Sequence, residues 1–321
     1  MTDSGRRGIL LMTYGSPVSL ERDDIGAYLA RIRGGRPPDD ELLDEFTRRY
    51  RVIGGSPLID ITRRQAKAIS SLLDWPATVG MRFSEPSIET GLRTLMAEGV
   101  EEVAAIILSP QYSPMLMGGY ERAIDAAVAA IGDAAPRVTV AGSWHLEPAF
   151  IEGVASGLRA SLDALEPKDR DRTSVLMTAH SLPERVALQE PDYLDQLRAT
   201  AEAVAAAAGL GAGDWTFCWQ SAGHEPGVWM KPDFADLMPG IAASGARTVI
   251  VVPIQFLADH LETLYDVDIG ARDQAEQYGL DFRRIPALND AAELANALAA
   301  VADRTSRSIA DVAAGAVSAS P

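Results

Sequence analysis

Cysteine is all but missing from this sequence: Cys218 stands alone among 321 residues. One thiol cannot make an intrachain disulfide, a CxxC zinc site or a four-cysteine iron–sulfur cluster, so a reducing, cytoplasmic compartment is expected. Positive charge is scarce as well. The chain has 29 Lys+Arg against 45 Asp+Glu, a formal net charge of −16. That balance argues against nucleic acid or anionic lipid as partners, because both require basic surface. Long hydrophobic runs are also absent. None approaches the roughly 18 residues of a membrane span. The run that follows the polar start Met1 to Arg7 stops at Tyr14, too short for a signal peptide. Neither an integral membrane segment nor a leader is predicted, and the Ala/Ser-rich stretch from Ala313 to Pro321 reads as a frayed tail.

The material for folding is nevertheless plentiful. Apolar residues make up 47% and charged residues 23%, enough for two cores of ordinary size. Short apolar runs alternate with longer amphipathic stretches. Strands are predicted at 8–13, 77–81, 103–108 and 138–141, and again at 174–178, 215–219, 248–253 and 281–285. Helix-length segments such as 87–98 and 193–208 lie between them. That alternation predicts βαβ units and parallel sheets covered on both faces.

The two sets of four also resemble one another. LLMTYGSP at Leu10 parallels VLMTAHSLP at Val175. AEGVEEVAAIILSPQ at Ala97 parallels ASGARTVIVVPIQ at Ala243, each a helix end, a glycine cap and a buried strand. Two such matches in the same order indicate an α/β fold of two similar halves, 1–145 and 146–321. The halves are expected to face each other across a cleft. Ligands in such folds collect beyond the carboxyl ends of the strands, where most of the polar residues singled out next are placed.

His180 directly follows one such strand. A histidine there either works in the cleft, as proton acceptor or borderline metal ligand, or merely bonds a loop backbone. The segment FLADHLETLYDVD (Phe256 to Asp268) is richer. On a helix, Asp259, Glu262 and Asp266 recur at three and four residues and share one face, while Leu257, Leu261 and Leu264 form the opposite, core-facing stripe. Oxygen donors with an imidazole suit Fe2+, Mn2+, Co2+ or Zn2+; a solvated acidic face in an acidic protein is the plain alternative. A third region gathers Arg31, Arg33, Arg36, Arg48, Arg49 and Arg51 beside two Gly-Gly pairs. Arginine forks there suit carboxylates or phosphates of a ligand, although pairing with Asp40, Glu41, Asp44 and Glu45 accounts for some of them.

With these features together, the chain resembles the ferrochelatases, most closely the coproporphyrin III ferrochelatases of monoderm bacteria. The motifs that carry the resemblance are LLMTYGSP at Leu10, RYRVIGGSPL at Arg49, LSPQYS at Leu108, TAHSLP at Thr178, WQS at Trp219 and ADHLETLYD at Ala258, in family order over about residues 8–290. The resemblance implies two Rossmann-like, chelatase-type halves of four parallel strands each, with the active site between them. It implies a lyase of haem and porphyrin biosynthesis that inserts Fe2+ into coproporphyrin III. Protoporphyrin IX is the alternative substrate, and a non-catalytic tetrapyrrole-binding protein the more distant alternative. His180 and Glu262 match the catalytic, metal-handling pair, and Asp266 an acidic relay further along the same helix. Tyr14 matches the axial tyrosine of the coproporphyrin-type enzymes. Arg33, Arg49, Tyr50, Ser56 and Tyr120 match positions that bind porphyrin propionates. No permanent cofactor and no iron–sulfur cluster are expected, with porphyrin and Fe2+ as substrates and transient contacts to neighbouring haem-pathway enzymes.

Three departures qualify these expectations. Phe83 stands where some relatives have histidine, Gly270 replaces an acidic residue beyond Asp266, and GGSPL is one residue shorter than the usual motif.

Overall fold

Parallel strands covered on both faces read as unbroken apolar runs, since they have no solvated face on which to place polar residues. The computed structural model describes residues 5–223 and 227–318, with side chains to Arg307. In it β1 (Arg7–Thr13), β2 (Ala77–Met81), β3 (Glu102–Ile107) and β4 (Arg137–Val140) form one all-parallel sheet in the order β2-β1-β3-β4. β5 (Thr173–His180), β6 (Trp215–Gln220), β7 (Thr248–Pro253) and β8 (Asp281–Arg284) form a second, in the order β6-β5-β7-β8. All eight predicted strands therefore form, and the two sheets share one strand order. Every residue of β3 and β7 is buried. The single charge in β3, Glu102, is held by Arg137 at 2.6 Å and Arg7 at 3.8 Å, which offsets the cost of burying a carboxylate.

In the first unit the strands are joined by α1 (Arg22–Ile32), α2 (Asp40–Val52), α3 (Leu58–Leu73) and α4 (Ile88–Ala97), followed by α5 (Pro114–Ile131). Asp39 caps α2 by accepting from the Leu42 amide at 2.9 Å, and Ser87 caps α4 from Thr90 at 3.2 Å. In the second unit come α6 (Pro148–Asp163), the single turns α7 (Pro167–Arg170) and α8 (Glu184–Ala187), α9 (Pro191–Ala207) and α10 (Phe234–Ala243). A π-helix then runs from Glu262 to Ala271 into α11 (Arg272–Gln277). Asp233 and Asp236 close a capping box on α10. The repeated glycines behave alike: Gly99 after α4 and Gly245 after α10 have φ of 76° and 86°, left-handed turns that release each chain into a buried strand.

The last helix, α12 (Ala292–Ser318), packs on α3, β3 and β4 of the first sheet. The chain thus forms one compact unit from the residues up to Leu108, Pro114–Trp144 and those from Asn289 onward, and a second from Ser109–Ser113 and His145–Leu288. The sequence division instead put everything after residue 145 in the second half. An amphipathic helix shows that it has a core face, here Leu294, Leu298, Val301 and Ala302, but not which sheet that face covers. Contacts at its start tie it to α3: Arg64 to Asp290 at 2.8 Å and Gln65 Nε2 to the Asn289 carbonyl at 2.6 Å. The backbone of the predicted frayed tail is helical to Ser318, and residues 319–321 lie outside those described. Among the described residues, no helix is long and apolar enough to cross a membrane.

Candidate active site

His180 is the last residue of β5, paired with Gln220 of β6. On the β7 side the last bond comes from the Ile254 amide to the Thr178 carbonyl at 3.0 Å. The His180 amide donates to the Gln255 side chain at 2.8 Å, and Gln255 in turn donates to the Tyr193 hydroxyl at 2.5 Å. The imidazole is oriented by its own loop: Nδ1 lies 2.5 Å from the Ser181 carbonyl oxygen. A carbonyl only accepts, so this bond places the hydrogen on Nδ1 and leaves the Nε2 lone pair outward. Nε2 is 3.6 Å from Glu262 Oε1. Phe256 and Trp229 flank the ring, each with its centroid 6.5 Å away.

Glu262 opens the π-helix and faces two imidazoles. Its Oε2 is 3.8 Å from His260 Nε2, and His260 Nδ1 bonds the Ala258 carbonyl at 2.9 Å while its ring packs on Phe256 at 4.7 Å. Burial opposes the carboxylate charge. His180 and His260 outweigh that cost and hold the Glu262 carboxyl below its ordinary range. Burial likewise opposes charge on His260, but Glu262 prevails and raises its pKa. The carboxylate thus lies between two imidazoles, His180 on one side and His260 on the other. Among the described residues, no group of three or more His, Cys, Asp or Glu gathers as a ready-made metal cage.

The expected carboxylate face is corrected here. Asp259 does not share a helix with Glu262 and Asp266, because residues 256–260 form a loop and the helical turns begin at Leu261. Asp259 instead accepts from Arg284 Nη2 at 3.0 Å, and the same guanidinium grips Asp268 through Nε at 2.6 Å and Nη2 at 2.8 Å. Glu262 and Asp266 remain on the π-helix. His260, two residues from Glu262, would face away from it on an α-helix. In a loop that rule lapses.

In the first unit Tyr14 follows β1 and is 48% exposed. Its ring meets Phe83 at 5.3 Å and Tyr120 edge-on at 6.0 Å. Arg82 lies among all three rings, its guanidinium carbon 4.6 Å from the Phe83 centroid, 5.4 Å from Tyr120 and 5.9 Å from Tyr14. The cage has room only because residue 119 is glycine: a Cβ there would fall 1.8 Å from Arg82 Nη2. Arg82 was not singled out in the sequence, although a basic residue just past the carboxyl end of a strand was the available signal.

The expected propionate residues divide by exposure. Arg33 is exposed and Ser56 half-buried, whereas Tyr50 and Tyr120 are only 4% and 2% exposed. Burial, with Tyr14 adding to it and Arg82 opposing, pushes the Tyr120 hydroxyl well above its ordinary pKa. Arg49 and Arg48 both pair with Glu45, at 2.7 and 2.8 Å, so part of the arginine cluster is internally neutralised.

The Ferrochelatase family model matches residues 6–306. A ferrochelatase of Deinococcus radiodurans is 35% identical over 97% of this chain and 99% of its own length. A coproporphyrin III ferrochelatase of Geobacillus thermodenitrificans is 35% identical over 86% and 89%. Among solved structures, SirB from Bacillus subtilis with Fe3+ superimposes with a TM-score of 0.56 at 12% identity, over 94% of this chain and 96% of that one. CbiX, the terminal enzyme of siroheme biosynthesis in denitrifying bacteria, does so with 0.52 at 14% identity, over 93% and 98%. These two likenesses extend to the fold alone. The match over nearly the whole chain makes this protein a member of the ferrochelatase family, a lyase that inserts metal into a porphyrin.

Proposed function

We propose that the enzyme inserts Fe2+ into coproporphyrin III, with His180 and Glu262 handling proton and metal. The observation that carries this reading is the His180–Glu262 geometry. The Nε2 lone pair, fixed by the Nδ1 bond to Ser181, stands 3.6 Å from a carboxylate. Metallation must strip water from the ion, remove two pyrrole protons and expose the ring nitrogens. His180 Nε2 accepts a pyrrole proton, while ionised Glu262 offers an oxygen donor to the incoming ion, with Asp266 behind it as relay. Tyr14 serves as axial ligand of the iron. Arg33, Arg49, Tyr50, Ser56 and Tyr120 are assigned to the propionates, whose binding energy supports ring distortion. Coproporphyrin is favoured because Tyr14 occupies the position of the axial tyrosine, and because several relatives bearing that substrate in their names are 32–35% identical. Its four carboxylates also suit an arginine-bearing loop.

Anaerobic turnover with coproporphyrin III and protoporphyrin IX side by side tests the substrate. The coproporphyrin rate should be the higher; an equal or better rate with protoporphyrin overturns the assignment. His180→Ala should lower turnover by about 10²–10⁴-fold, the usual contribution of acid–base catalysis, with porphyrin affinity retained. Near wild-type metallation by that variant would remove His180 from the mechanism.

A further inference from the structure

Next to His180 lies a buried amide with no visible use. Gln220 ends β6, and its Cα pairs with that of His180 in the sheet register. Residues paired across parallel strands about 4.8 Å apart project on the same face, so the Gln220 and His180 side chains stand side by side. Thr178, two residues earlier on β5, shares that face. Below them the face is apolar: Leu176, Cys218, Val251, Phe234 and Val267 form one cluster beneath α10 and the π-helix. Gln220 is 2% exposed and Thr178 fully buried, yet among the described residues neither Nε2 nor Oε1 of Gln220, nor Oγ1 of Thr178, has a hydrogen-bond partner. The Gln220 backbone is occupied, its carbonyl accepting from the Ser181 amide at 2.7 Å. The side chain contributes nothing to that bond.

Three desolvated polar atoms in one place are costly, and leucine and valine would fill the same volume without the cost. Such a cost is typical of a polar site built for a small hydrogen-bonding ligand, and water is the ligand whose size and valence fit. An amide that donates and accepts, with a hydroxyl close by, supplies the two to four partners a buried water needs. We propose that Gln220 is a positioning residue that, with Thr178, holds ordered water against His180. The water satisfies both side chains on the sheet face from which the imidazole projects, and so steadies the strand ends that carry Nε2 toward Glu262. This inference rests on the assignment of His180 as the proton acceptor.

The test combines the apolar isosteres Gln220→Leu and Thr178→Val with a high-resolution crystal structure of the wild-type enzyme. The crystal structure should show water within hydrogen-bonding distance of both side chains. Each variant should keep or raise Tm and hold the porphyrin KM within about twofold, while kcat falls about tenfold or more, as misplacing a reacting group requires. Variants that are more stable and turn over at the wild-type rate would make the amide a tolerated core defect and overturn the proposal. So would a wild-type structure in which Gln220 and Thr178 bond only to protein. If Gln220→Leu does not fold, Thr178→Val and the wild-type structure still decide. If the wild type metallates neither porphyrin, the functional reading fails while the water site stands or falls on its own density.

Discussion

Arg284 is the residue whose loss should disturb the second unit most while touching neither His180 nor Glu262. It ties the loop before Glu262, through Asp259, to Asp268 further along the π-helix. Burial works against its charge, but Asp268 and Asp259 outweigh burial and raise its pKa. Arg284→Met removes the cation and strands two carboxylates. Breaking a fully buried pair costs about 3–5 kcal/mol. Here the arginine side chain is 11% exposed and the aspartates 23% and 25%, so screening reduces the expectation to about 2–3 kcal/mol. For a unit of roughly 150 residues that is a fall in Tm of about 4–12 °C. π-helical turns are rare and occur mostly as single-turn bulges, and this one runs for ten residues. Once the clamp is gone the segment can relax toward an α-helix, turning Glu262 away from His180, so kcat should fall with little change in porphyrin affinity. Thermal melts of Arg284→Met, Asp268→Leu and the double variant measure the coupling. The double variant should be more stable than the sum of the singles by about 1.5 kcal/mol or more. A single variant within about 0.5 kcal/mol of wild type, or strict additivity, would refute the clamp.

Two further outcomes follow from the first unit. Hydrogen bonds from Arg48 and Arg49 hold the Glu45 carboxyl at about 2, below its ordinary 4.5. The stabilisation is therefore present above about pH 4.5 and drains away as pH falls toward 2. Glu45→Gln should cost about 1 kcal/mol near pH 7, a partly screened pair, and the gap to wild type should narrow as pH falls from about 4.5 toward 2; a pH-independent gap in denaturant titrations would contradict this. Gly119→Ala should destabilise by up to about 1 kcal/mol, because its Cβ displaces the mobile end of Arg82 from the aromatic cage. In an Arg82→Ala background the same change should stabilise by about 0.5–1 kcal/mol through helix propensity. Thermal melts that show the same sign in both backgrounds would remove Arg82 as the obstacle.

Much of this protein was legible one residue at a time. The eight strands announced themselves as apolar runs because a covered parallel strand has no polar face. The two glycine-capped repeats foretold two similar four-stranded halves, and TAHSLP and ADHLETLYD carry His180 and Glu262, which the structure brings to 3.6 Å. What stayed hidden depends on contacts remote in sequence. The partner of α12 was invisible because an amphipathic stripe does not name the sheet it covers. The separation of Asp259 from Glu262 depended on Arg284, 25 residues away, drawing one aspartate into a loop. That same break brought His260 round to Glu262, and the Arg82 cage required an empty Cβ position 37 residues further along the chain at Gly119. Sequence alone determined strands, repeats and the chemical types at the site, since these are set by local pattern and residue identity. Tertiary structure alone decided the pairings remote in sequence, such as Arg284 with Asp259 and Asp268, because these depend on distances that only the folded chain sets.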